Sequence, residues 1–430
     1  MVKEVRYQDT ISRLYRDSDM PEGQFATRNI TFQVTDDCCF KCSYCYQTNK
    51  GHRMMSRSVA KRAVDLLFEM YDKNEGTFIN HHTKAIILDF IGGEPLMNID
   101  IIDYICSYFM DECIRRNHPW AYTWRASMIS NGALYFEPKV QTFLKKFRGF
   151  VSFNITIDGP KEMHDTCRVY PDGSGTFDQA YASLKHFNEN YYEISGTKVT
   201  IAPSNLHDLN KIVKFFVDEG MYDIHANPVN EEEWTIEQAQ EYYVELKKMA
   251  DYLLSLDKEV RVSLFSEYIG KPMDESDNQN YCGGNLNMLA FDPDGIAYPC
   301  VRYMESSLGD EVPPIIIGSV NGLFETEEQK NIAGCLSCIT RRSQSTDECF
   351  YCPVASGCSY CSAWNYQYFG EINKRCTSTC LMHKARVLAN VYYWNKYYRA
   401  HNIEKYFELH LPEEDILRFI SKDEYEALLK

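Results

Sequence analysis

The chain has 430 residues, 44% hydrophobic and 25% charged, the make-up of a soluble globular protein with room for one large domain and a smaller one. No segment approaches the ~20 consecutive apolar residues of a membrane span, and the charged start Met1-Val2-Lys3-Glu4-Val5-Arg6 lacks the apolar core of a signal peptide. A net charge of −16 argues against nucleic acid, whose phosphates need a concentrated basic surface, so the expectation is a cytoplasmic protein with neither nucleic acid nor membrane as partner.

In chain order, short apolar runs at 30–35, 85–91, 123–130, 150–157, 197–202 and 223–227 read as strands. Between them lie stretches of helical spacing, such as Val59, Ala60, Ala63, Val64 and Leu67, and later Leu209, Ile212, Val213 and Phe216. Six strand–helix repeats predict an α/β fold, a parallel sheet with helices outside, better matched to a partial (β/α)6 TIM-like barrel than to a full eight-unit one. A long helix over 236–256 follows, with Thr235 and Gln238 as its capping box. From 282 to 380 periodicity weakens, and a segment so poor in apolar surface is expected to need metals as staples. Residues 384–410 return to a helical pattern rich in Tyr and Trp, either a helix packed on the barrel or a partner-binding surface. The expected divisions are an N-terminal segment 1–27, the barrel 28–235, a bridging helical region 236–281, a cysteine-rich domain 282–383 and a C-terminal helical extension 384–430.

Seventeen cysteines are the anomaly, because a reducing compartment disfavours disulfides and dense cysteine there is metal-binding or catalytic. Four lie between Cys38 and Cys45 and ten between Cys282 and Cys380, leaving a cysteine-poor middle. The first group follows a predicted strand directly, which puts it in a loop at the C-terminal mouth of the sheet, where barrel sites sit. Cys38, Cys42 and Cys45, spaced C-x3-C-x2-C, can bind three irons of a 4Fe–4S cube and leave the fourth without a protein ligand. A zinc loop completed by His52 is the alternative; Cys39 is surplus to either.

This loop resembles the signature of the radical S-adenosylmethionine (SAM) superfamily. Ile91-Gly92-Gly93-Glu94-Pro95, about fifty residues on at a strand end, matches that family's glycine-rich motif. The resemblance implies that Gly92 and Gly93 let the backbone approach the SAM amino group, with Glu94 helping to hold it. Ser130-Asn131-Gly132, Thr156-Ile157-Asp158-Gly159 and His164-Asp165-Thr166-Cys167-Arg168 are similar to the family's later motifs. They imply Arg168 for the SAM carboxylate, Thr156 and Asn131 as polar contacts, and Tyr44 along the adenine. Asn131 and Asp158 have turn capping as an alternative, and His164 and Asp165 read as structural.

The distal cysteines resemble the SPASM extension of these enzymes, which carries two auxiliary 4Fe–4S clusters, three clusters in all. By that resemblance Cys282, Cys300 and Cys361 serve the first auxiliary cluster, and Cys349, Cys352, Cys358 and Cys380 the second. The pattern departs from the family in having two residues rather than three between Cys358 and Cys361. Cys335 and Cys338 form an extra C-x2-C pair and Cys376 competes with Cys380, so all three remain candidate ligands. Zinc ribbons are the alternative for the region.

The resemblance extends to chemistry. SAM cleaved at a reduced cluster yields a 5′-deoxyadenosyl radical that removes an unactivated hydrogen, and relatives with two auxiliary clusters mostly oxidise peptides. The chain looks most like the maturases that install thioether crosslinks in ribosomally made peptides, and Cys42-Ser-Tyr-Cys-Tyr-Gln with Asn49-Lys50 is similar to the branch acting on Cys-x-x-x repeats. The expected partners are a Cys-containing precursor peptide and an electron donor such as flavodoxin or ferredoxin. A formylglycine-generating sulfatase-maturase is the rival reading, but such enzymes place an Asp base after the cysteine matched by Cys300, and here that residue is Val301. Carbon–carbon crosslinking, epimerisation and a non-catalytic electron carrier are the others. With 37 residues before Cys38, a complete leader-binding winged-helix domain is not expected ahead of it.

Overall fold

The computed structural model describes residues 27–74, 78–191, 196–310 and 312–429; apart from Thr27, the expected N-terminal segment lies outside them. In chain order the main elements begin with β1 (Thr27–Gln33), α1 (Arg57–Lys73), β2 (Ala85–Ile91), α2 (Ile99–Arg115), β3 (Trp124–Ser130), α3 (Pro138–Lys146) and β4 (Val151–Ile155). Then come α4 (Lys161–Cys167), α5 (Phe177–Tyr191), β5 (Gly196–Ile201), α6 (Leu209–Asp218), β6 (Asp223–Pro228), α7 (Ile236–Leu254) and β7 (Arg261–Val262). The cysteine-rich part holds β8 (Met288–Phe291), β9 (Ile296–Tyr298), β10 (Gly318–Ser319), β11 (Gly322–Leu323), α8 (Glu327–Ser337), α9 (Arg341–Gln344), α10 (Asp347–Phe350) and α11 (Ser362–Phe369). Last is the long α12 (Cys380–Ala400) with two short helices after it.

The chain forms two compact units, each assembled from separated stretches. The first takes residues up to Phe40, Gln47–Asn154 and Cys282–Ile339; the second takes Lys41–Tyr46, Ile155–Tyr281 and Thr340–Lys430. Each unit draws on separated stretches because strand pairing joins residues far apart in the chain, as β1 does with β8.

The first unit is built on an eight-stranded sheet of order β11-β10-β9-β8-β1-β2-β3-β4. β2 lies parallel to β1 from Thr27↔Ala85 to Gln33↔Ile91, and β8 joins the other edge of β1, also parallel. Buried on both faces, these strands read as near-continuous apolar runs such as AIILDFI. Phe32 stacks on Phe90 and touches Phe291, so β1 is the centre of the core. α1 starts where Ser56 accepts the N–H of Val59 and stops at Asn74, whose left-handed φ of 50° turns the chain out of the helix. Its stripe Ala60, Ala63, Val64 and Leu67 is buried.

In the second unit β5, β6 and β7 form a parallel sheet, and Thr156, just past β4, bridges to Lys198 of β5. α7 begins with both hydrogen bonds of the Thr235–Gln238 capping box in place and packs along α12. The aromatic side chains of α12 are used inside this unit. Tyr398 shares a core with Ile269, Val391 and Phe407, Trp394 and Tyr397 pack on it, and Tyr392 donates to Asp251. The helix is thus a packed element of this unit, with Tyr392, Tyr393, Trp394 and Tyr397 half-buried and Tyr406 beyond it exposed. Among the described residues no helix is long and apolar enough to cross a membrane.

Candidate active site and cysteine-lined cavity

In the first unit, the end of β2 meets the start of the cysteine loop. The N–H groups of Gly93 and Glu94 donate to Thr35 O and Asp37 O, at 3.2 and 2.8 Å. A Cβ on Gly93 would stand 2.3 Å from Asp37 O and 2.6 Å from Cys38 Cβ, so only glycine allows the two segments this close. The following Glu94 is buried, and its carboxylate accepts from Ser130 Oγ and Asn131 N (2.8 Å each) and from Leu96 N (3.1 Å). Burial outweighs these donors and raises its carboxyl to about 7. Three accepted bonds leave one of the carboxylate's four lone-pair sites open.

Asn131, held by Glu94, turns its side chain to the cysteines. Its Nδ2 lies 3.3 Å from Cys39 Sγ and 3.8 Å from Cys38 Sγ, while its Oδ1 accepts from Ala133 N. A hydrogen bond from Cys39 lowers the Cys38 thiol to about 6, with Lys50 and the Phe40 N–H adding to the effect; Cys39 is raised in return. Cys39, surplus on spacing grounds, lies beside Cys38 and against the Asn131 side chain.

In the second unit, Lys41 N and Ser43 N donate to Val169 O and Cys167 O, tying the rest of the loop beside Arg168. Asp158 is the hub. It accepts Arg168 Nε at 2.8 Å, the Tyr44 hydroxyl and Thr200 N. Arg168 Nη1 reaches to 3.7 Å from Cys42 Sγ, and the guanidinium lies over the Tyr44 ring. Burial, then the charge of Asp158, keeps Tyr44 protonated. Thr156 is buried at the start of this segment. His164 accepts from Asp158 N through Nδ1 and shares Nε2 with Thr176, and burial lowers it to about 4, so it is a neutral brace. Asp165 accepts the N–H groups of Thr176 and Phe177 at the start of α5. The sequence named Tyr44, Thr156, Asp158, His164, Asp165 and Arg168 but not Thr176, and could not show that Asp158 gathers Tyr44 and Arg168.

The distal cysteines divide between the units. In the first, Cys300 is buried after β9, Cys282 is half-buried, and Cys335 and Cys338 are exposed at the end of α8. In the second, Cys361 caps α11 by accepting from Trp364 N. Five others, Cys349, Cys352, Cys358, Cys376 and Cys380, line one cavity of about 100 Å³ with Arg375, His383, Lys384 and Asp415. Cys380 is raised to about 11, by burial first; Lys384 opposes that rise, and Cys358, Cys352 and Cys349 stand near enough to add to it. Cys376 is positioned separately, its N–H held by buried Asn365. Among the described residues no three Cys, His, Asp or Glu side chains clasp a point that would hold a single ion; these thiols surround a space. Sequence reasoning missed Asn365 and Arg375. The visible signals were a polar residue inside an apolar helix and an arginine adjoining Cys376.

A family model described as a 4Fe-4S single cluster domain matches residues 23–166. An uncharacterised protein of Methanocaldococcus jannaschii is 28% identical over 200 residues, 46% of this chain and 61% of that protein, so the match spans under two thirds of the relative. The radical SAM cyclopropyl synthase TigE of Paramaledivibacter caminithermalis is 22% identical over 83% of this chain and 72% of its own. Among solved structures, anSMEcpe with bound AdoMet and a Cp18Cys peptide superposes with a TM-score of 0.60 at 15% identity, covering 88% of this chain and all of that one. The fold is the α/β partial barrel with a cysteine-rich C-terminal region. By fold and by these likenesses, the chain is similar to radical SAM enzymes related to the SPASM-domain peptide maturases.

Proposed function

We propose that the chain is a radical SAM peptide maturase that joins a Cys sulfur of a ribosomally made precursor peptide to a carbon of another residue. The residues fit SAM and an iron–sulfur cluster. Cys38, Cys42 and Cys45 offer three thiols on one loop, Gly93 leaves that loop no side chain to avoid, and Arg168 carries a guanidinium to Cys42. These cysteines would hold the first cluster, and Gly92, Gly93, Glu94, Asn131, Thr156, Arg168 and Tyr44 would surround SAM. When bound and reduced, that pair supplies a radical able to take hydrogen from an unactivated carbon.

The protein's own part is orientation and exclusion of water. Arg168 is fixed by Asp158 and Tyr44 rather than free in solvent, so its remaining N–H groups are already aimed when a carboxylate arrives. Cys349, Cys352, Cys358 and Cys380 would hold one auxiliary cluster; Cys282, Cys300 and Cys361 would serve the other. A flavodoxin or ferredoxin would deliver electrons.

Val301 carries the choice of thioether over formylglycine. It packs on Ala290, Tyr298 and Met304, and an aliphatic side chain there cannot serve as the general base that formylglycine formation would use at that position. Formation of a carbon–carbon bond is the second reading, favoured by the likeness across 83% of the chain to TigE, a cyclopropyl synthase, since a cyclopropyl ring closes through such a bond.

The test is mass spectrometry of a Cys-containing peptide encoded beside this gene, after incubation with reduced, iron-reconstituted protein and SAM. A thioether appears as loss of two hydrogens with a blocked thiol, and fragmentation locates the carbon. The same loss with the thiol still reactive indicates the carbon–carbon bond; an aldehyde sinks the crosslinking idea. Absence of 5′-deoxyadenosine release overturns the radical reading altogether.

A further inference from the structure

We infer that Arg375 is a positioning residue that raises the reduction potential of the cluster proposed at Cys349, Cys352, Cys358 and Cys380, equipping it to accept an electron. The inference rests on the auxiliary-cluster reading above. Arg375 Nη2 lies 3.1 Å from Cys358 Sγ, a direct N–H to sulfur contact on the wall of the cysteine-lined cavity. The side chain is aimed there by its surroundings. Its guanidinium lies 3.9 Å from the centre of the Tyr360 ring, Nη1 donates to Ser345 Oγ at 3.3 Å, and the backbone N–H donates to Gln344 O at 3.0 Å. Stacking on a ring leaves the in-plane N–H groups pointing outward, which suits a planar guanidinium and not an ammonium.

The charges on the cavity wall single this residue out. Lys384 is matched by Asp415 at 2.9 Å. His383 is engaged with Val354 O through Nε2 and lies buried, which disfavours its charged form. Glu348 and Asp415 are acidic. Among the described residues no carboxylate pairs with Arg375, so its charge faces sulfur. A cluster held by four thiolates gains negative charge on reduction, and both a hydrogen bond to sulfur and a nearby cation stabilise the more negative state. The result is a higher potential and a preference for receiving electrons.

The experiment is an EPR-monitored potentiometric titration of the reconstituted full-length protein, wild type against Arg375→Met and Arg375→Lys, with iron content measured on each. The expected result is one cluster signal whose midpoint moves to more negative potential in Arg375→Met and by a smaller step in Arg375→Lys, with iron content and the other signals unchanged. Unmoved midpoints overturn the inference, and so does iron loss from both variants, which makes Arg375 a brace of the site. If only Arg375→Met loses iron, Arg375→Lys decides by whether its midpoint falls. A Cys349→Ala/Cys352→Ala protein with the wild-type iron content would instead sink the auxiliary-cluster reading, and the inference with it.

Discussion

Glu94 accepts the backbone N–H of Asn131 at 2.8 Å, and Asn131 in turn reaches Cys39 Sγ at 3.3 Å. The end of the second strand therefore sets the side chain that touches the cysteine loop, by way of the end of the third. A glutamate in a glycine-rich turn acts here as a strut between strands before any ligand is considered.

Glu94→Gln is expected to destabilise the protein by roughly 1–3 kcal/mol, since an amide donor must then face the Leu96 N–H or the Asn131 N–H and leaves a buried group unsatisfied. Chemical denaturation of the two proteins measures it. Equal midpoints with equal slopes would count against the strut.

Gly93→Ala should cost more than a surface change and should act on the cysteine loop. Its Cβ would overlap Asp37 O and Cys38 Cβ, which backbone cannot yield cheaply. The expected outcome is lower iron incorporation after reconstitution with the fold retained by circular dichroism. Gly173→Ala makes the control, as nothing lies within 4 Å of its Cβ and only its φ of +86° is strained.

Asp158→Asn should unseat Arg168 and Tyr44 together. Leaving a buried guanidinium without its carboxylate costs about 3–5 kcal/mol. Calorimetric SAM titration is expected to weaken in step with the thermal midpoint, whereas Arg168→Lys should weaken SAM binding with a smaller loss of stability. Undiminished SAM affinity in Asp158→Asn would refute the positioning role.

Acid should destabilise the fold through its buried histidines. His118, His164 and His383 are each lowered to about 4 by burial, against an ordinary value near 6.5. Between pH 6.5 and about 4 these histidines bind protons in the unfolded chain that they refuse in the folded one, so their contribution makes stability fall as pH drops through that window and adds no slope above it. His164→Gln should flatten part of this slope in a pH series of unfolding curves. A slope identical to wild type would show that His164 is not held neutral.

Cys380→Ala and Cys376→Ala should part company. Cys380 stands near enough to Cys349, Cys352 and Cys358 to feel their charge, while Cys376 is anchored by Asn365. Iron content is expected to drop in Cys380→Ala and to hold in Cys376→Ala; the reverse would exchange their roles.

Much of this architecture is local and was open to reading from the sequence. The strand expected at 85–91 is Ala85–Ile91, because an apolar run of that length between turn residues has few other uses. The Thr235–Gln238 box forms as written, since both of its hydrogen bonds lie within one helical turn. Cysteine spacing marked the loop and the distal region for the same reason. What the sequence could not determine is which side chains meet across the chain. Asn131 and Cys39 are 92 positions apart, Tyr44 and Asp158 are 114 apart, and both meetings depend on how the chain folds back on itself, not on spacing. Arg375 acquires its place through Tyr360 and Ser345, and the Tyr- and Trp-rich helix turns inward only because α7 and residues 265–269 are there to cover it. Composition and period decide what a segment is; the partner of each polar group is a property of the assembled fold.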